Sequence, residues 1–102
     1  MGRLIVKLED EMADGVELYM EWSTVVDAPV SPLLSLEDFR EWHNWRHPNI
    51  DISERLERVA EKGTSSLDGT TPEELLAFNR AGEGESHLTK GEIIAQYRED
   101  GN

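Results

Sequence analysis

The chain contains no cysteine. That excludes disulfide staples, thiolate metal sites and cysteine nucleophiles, and it points to a reducing, cytoplasmic setting. Long apolar runs are missing as well. No window approaches the roughly 18 apolar residues that a membrane-spanning helix needs. Met1–Asp10 has neither the apolar centre nor the small-residue cleavage site of a secretion signal. Positive charge is scarce: ten Lys and Arg stand against 22 Asp and Glu, a net charge of -12 over 102 residues. From Leu8 to Phe39 there is no Lys or Arg at all, while nine carboxylates occur. Such an excess repels nucleic acid and anionic membrane and attracts basic surfaces. Nucleophile elbows, phosphate-cradling glycine loops and dinucleotide fingerprints are also absent, so catalysis has no motif behind it.

What is present suffices for one domain with one modest core, because 102 residues at 37% apolar composition cannot also enclose a deep active site. Residues 3–8 are apolar and rich in β-branched side chains. Residues 16–26 alternate: Val16, Leu18, Met20 and Trp22 fall on one face, and Glu17, Tyr19, Glu21 and Ser23 on the other. Period two marks a half-buried strand, and Asp14-Gly15 supplies the turn. One register of the resulting hairpin pairs Lys7 with Glu17, Ile5 with Tyr19 and Arg3 with Glu21. It also places Leu8, Val6 and Leu4 opposite Val16, Leu18 and Met20. Opposite charges then face water and every apolar pair faces inward. Pro29 and Pro32 cannot donate to a ladder, so residues 27–34 are expected to be an extended connection.

Helices follow. Ser35 caps a helix with Leu34 and Phe39 as its hydrophobic staple, and Pro48 stops it. Asp51 and Glu54 open a second helix that ends at Gly63, with Arg55, Arg58 and Lys62 spaced to pair with Glu54, Glu57 and Glu61. Residues 63–71 have the composition of a flexible linker. Thr71-Pro72-Glu73-Glu74 starts a third helix, expected to end at Gly82, and Thr89 with Glu92 starts a fourth. Leu75, Phe78, Ile93, Ile94 and Tyr97 are placed to pack these two together. The fold class is therefore α+β: an N-terminal antiparallel β-hairpin packed by a helix over residues 1–48, then three short helices over 49–102. After the 63–71 linker the remainder is a candidate mobile appendage.

The acidic hairpin tip, Glu9-Asp10-Glu11 with Asp14, offers hard oxygen ligands but lacks the alternating-oxygen pattern of a calcium loop, so it reads as a solvated tip. His43 and His47 sit four apart on one helical face, the spacing of metal ligands. A third ligand would have to be His87 or a carboxylate, and no cofactor or metal is assigned from sequence. Trp22 and Trp42 fit the core, whereas Trp45 leaves the apolar stripe and suits an interface anchor. The partner-binding candidates are Glu9, Glu11, Asp14, Glu17, Tyr19, Glu21 and Trp45.

The stretch Glu17–Trp42, with Glu-Trp-Ser-Thr-Val-Val-Asp-Ala-Pro followed by an acidic helix, resembles a pattern in small uncharacterised proteins of actinobacteria and their phages. It covers about a quarter of the chain and carries no activity with it; it implies a mobile-element accessory protein. Together these features lead to the expectation of a non-enzymatic acidic protein that occupies a basic surface on a host protein, as a mimic of nucleic-acid charge. It would contact neither nucleic acid nor membrane directly, and its oligomeric state is open. The alternatives are a metal-dependent domain or enzyme using His43, His47 and carboxylates, and a structural or assembly accessory protein.

Overall fold

A computed structural model describes residues 3–10 and 14–98. The elements in order are β1 (Arg3–Asp10), β2 (Val16–Ser23), β3 (Ala28–Pro29), α1 (Leu36–Arg46), α2 (Ser53–Lys62), α3 (Pro72–Ala77), a 3-10 turn (Glu83–Glu85) and α4 (Lys90–Tyr97). The fold is α+β, with a three-stranded antiparallel sheet in the order β1-β2-β3.

The hairpin forms with the expected faces and a different register. Lys7 lies opposite Tyr19, Ile5 opposite Glu21, Arg3 opposite Ser23, Leu8 opposite Leu18 and Leu4 opposite Trp22. This is a shift of two residues from the charge-matched pairing. A two-residue shift keeps every side chain on its own face. It sets Leu8 against buried Leu18 instead of half-exposed Val16, and it extends the ladder to Asp10 and Val16. The two ion pairs survive as diagonals, Lys7 Nζ to Glu17 at 3.2 Å and Arg3 Nη1 to Glu21 at 3.6 Å, because long side chains reach the diagonal neighbour. Asp14 and Gly15 both adopt positive φ, so the Asp-Gly pair turns the chain as read.

The larger departure concerns the second face. Leu18, Met20 and Trp22 are buried on the even face, as the alternation requires, yet Tyr19, Glu21 and Ser23 on the odd face are buried too. Helices cover both sides. On the odd face Ile5 and Tyr19 pack with Leu34, Phe39, Ile52 and Val59, which come from α1, α2 and their approaches. On the even face Val6, Leu8, Leu18, Met20 and Trp22 pack with Leu33, Leu88 and Ile93, flanked by Leu75, Leu76, Ile94 and Tyr97. Phe78, expected between α3 and α4, is 76% exposed instead. The reason is Asn79. Its side-chain amide donates to the Leu76 and Leu88 carbonyls, and its oxygen accepts from the Leu88 and Ala81 amides. The helix therefore stops at Ala77, not Gly82, and Phe78 is turned outward. Trp42 is half-buried rather than a core residue.

Both sheet edges are occupied. Residues 63–66, read as the start of a flexible linker, lie along β1. The Lys7 amide donates to the Gly63 carbonyl (2.8 Å), the Ser65 amide to the Ile5 carbonyl (2.9 Å), and the Ile5 amide to Ser65 Oγ (2.9 Å). Thr64, Ser65 and Ser66 are buried, so this segment joins the two helical layers through the sheet and does not tether a free appendage. At the far edge Leu34 and Tyr19 exchange both backbone hydrogen bonds, and Leu33 donates to the Tyr97 carbonyl. Helix starts follow their caps. Ser35 accepts from the Asp38 amide, and Thr71 with Glu74 and Thr89 with Glu92 form complete capping boxes.

Candidate functional site

Of the partner-binding candidates, Glu9, Asp14, Glu17 and Trp45 are exposed, Trp45 at 76%. Glu11 lies outside the described residues. Tyr19 and Glu21 are not surface residues: Tyr19 is buried against Phe39, and Glu21 is 4% exposed under α1. The alternation was right, but the face assigned to solvent is the one that α1 and α2 cover. Asp10 is also buried, bound to Arg98 Nη1 at 2.5 Å, so the tip carboxylates are not equivalent.

The exposed acids nevertheless gather. The mutual bonds between Leu34 and Tyr19 set the N-terminus of α1 beside the tip half of β2. Glu37 and Asp38 therefore share one end of the molecule with Glu17, Glu9 and Asp14, and all five are exposed. Positive charge borders this end too: Lys7, Lys62 and Lys90 line a pocket with Glu9, and Arg98 binds Asp10. Arg3, Arg55 and Arg58 line a cleft with Ser65 and Ser66. Arg58 Nε donates to the Ser65 carbonyl, an inter-segment bond in place of the expected intrahelical pairing. Burial lowers the pKa of Arg55, and the nearby Glu21 charge opposes that shift.

α1 and β2 bring together residues that lie far apart in the sequence. His43 is buried on its sheet-facing side against Phe39 and Trp42, with ring centroids 6.1 and 6.5 Å away. One turn later His47 ends the helix, its amide donating to the His43 carbonyl. The two imidazole centroids are 4.9 Å apart. Glu21 rises from β2 beneath them. One donor atom from each of Glu21, His43 and His47 lies within 4.8 Å of the other two. Burial, then the neighbouring His47, lowers the pKa of His43, so its neutral form is favoured; Glu21 pulls the other way. A shallow pocket lined by Arg40, Asn44, Ile50 and Asp51 opens beside His43.

His43 and His47 were legible as a pair. Their carboxylate partner was not, because the period-two reading placed Glu21 in water. The available signal was that Glu21 and Tyr19 share a face with Ile5, a residue that strands seldom leave in solvent. Comparison with protein-family models, curated proteins and solved structures gives no match.

Proposed function

We propose that the protein is a non-enzymatic acidic binding protein that seats its hairpin-tip end on a basic surface of a protein partner. The supporting observation is the exposed set Glu9, Asp14, Glu17, Glu37 and Asp38 at that end, away from the arginine-lined cleft. The basic residues Arg3, Lys7, Arg80 and Arg98 are engaged with Glu21, Glu17, Asp27, Glu85 and Asp10. Lys7, Lys62 and Lys90 line a pocket with Glu9, but the net charge of -12 keeps the field of the exposed carboxylates negative, and it reaches a basic partner over about a Debye length. Trp45, exposed in the last turn of α1, is a candidate anchor for the same partner because a desolvated tryptophan supplies much contact area for little lost entropy. The resemblance noted above favours a mobile-element protein acting on a host factor in the cytoplasm.

Capture of partners from a bacterial lysate at low salt, followed by mass spectrometry, supplies the ligand for kinetic tests. The association rate is expected to fall on the order of tenfold or more between low and high salt, with a smaller change in dissociation. Reversal of Glu9, Asp14 and Glu17 to Lys should slow association, while Trp45→Ala should speed dissociation. Wild-type association kinetics in the triple-reversal variant would sink the proposal.

A further inference from the structure

The geometry points to a second site, independent of the acidic surface: Glu21, His43 and His47 form a binding site for one borderline divalent transition-metal ion, with zinc as the type case. Two observations carry it. The first is convergence. Donor atoms from two consecutive turns of α1 and from β2 lie within 4.8 Å of one another. Zinc–nitrogen and zinc–oxygen distances of about 2 Å require donors roughly 3.3 Å apart, so the three side chains would draw together around the ion. The second is the chemistry of the set. Two imidazoles and one carboxylate suit zinc and its neighbours in the first transition row; calcium and magnesium need more hard oxygens than Glu21 alone supplies.

Glu21 and His43 are 4% and 2% exposed. The Glu21 carboxylate has a long ion pair to Arg3 at 3.6 Å, which leaves it able to coordinate a cation. The pocket beside His43 gives water and metal a way in and leaves room for exogenous ligands on the ion.

Two arginines oppose the cation and set its affinity. Arg3 shares Glu21, but its side chain is half exposed and can withdraw into solvent. Arg55 lies close enough to Glu21 and His43 to affect both charges. The site should therefore be of moderate affinity, and removal of Arg3 should tighten it.

The test uses the full chain stripped of metal by a chelator. Calorimetric titration with zinc at neutral pH should give one ion per chain. His43→Ala and His47→Ala should each weaken binding at least about tenfold, since even loss of outer-shell partners costs 10- to 100-fold. Glu21→Gln should weaken it similarly, Arg3→Ala should strengthen it several-fold, and His87→Ala should leave it unchanged. Cobalt should develop visible absorption in the wild type. Histidine ring NMR signals of His43 and His47 should shift with zinc while those of His87 stay. This readout needs no variant, so misfolding of a substituted chain cannot obscure the answer. No saturable zinc binding up to about 1 mM, a concentration at which binding is worth only ~4 kcal/mol, would overturn the site. So would binding retained when both His43 and His47 are replaced, or ring shifts confined to His87.

Discussion

A single side chain, His43, combines burial with a titratable imidazole. Burial is the main cause that lowers its pKa from 6.5, and His47 adds to it. The native state thus resists protonation while the unfolded chain accepts it near the ordinary value. The native advantage is complete above about pH 6.5 and is lost as pH falls from there through the lowered native value. In the presence of a chelator, the urea midpoint should fall between pH 7 and pH 5. The variant His43→Phe, which keeps a ring against Phe39 and Trp42, should show a shallower fall. A variant curve as steep as wild type would assign the pH dependence to other groups. Asn79 shows the same scale at work in shape: four hydrogen bonds from one buried amide end α3 and expose Phe78.

At the scale of elements, local chemistry set the helix starts and tertiary contacts set much else. Ser35, Thr71 and Thr89 cap as their spacing to Asp38, Glu74 and Glu92 dictates. The segment 63–66 behaves differently: its composition is that of a linker, but it is the outer partner of β1. Its polar side chains are what permit this, since Ser65 Oγ accepts the Ile5 amide while the Ser65 amide donates back to the Ile5 carbonyl. Gly63, at φ 87, ends α2 and turns the chain toward β1. A Cβ there would meet Pro72 at 2.6 Å, so the turn also packs tightly against the start of α3. Ser65→Ala leaves the buried Ile5 amide without its acceptor and should cost about 1–3 kcal/mol by urea denaturation. A loss under a few tenths would mean that water replaces the hydroxyl and that the segment is loosely held.

For the molecule as a whole, charge is the dominant feature. A net charge of -12 on 102 residues is self-repelling. The acids drawn inside, Asp10 and Glu21, have arginine partners, whereas Glu37, Asp38, Glu41, Glu54, Glu57, Glu61, Glu73, Glu74, Glu83 and Glu92 stay exposed. Exposed ion pairs contribute about 0–1 kcal/mol each, so salt loses little by weakening them. Screening the repulsion among the many unpaired carboxylates gains more. Melting temperature should therefore rise with sodium chloride from about 10 mM to 0.5 M, a range over which the Debye length shrinks from about 30 Å to a few ångströms. A falling melting temperature would show that attractive pairs outweigh repulsion.

The sequence by itself determined the two strands and their alternating faces, the starts of α1, α3 and α4, the Asp-Gly turn, the helical pairing of His43 with His47, and the charge of the surface. All of these depend on neighbours within a few residues, where period, caps and turn chemistry act. Tertiary structure alone decided the register, because a two-residue slip preserves both faces and only packing against Leu33, Ile93 and Phe39 distinguishes the alternatives. It also decided that the charged face of β2 is covered. The helices that bury Tyr19 and Glu21 lie 15 or more positions away along the chain, beyond any local pattern. That burial removes Glu21 from the acidic surface and sets its carboxylate beneath two imidazoles.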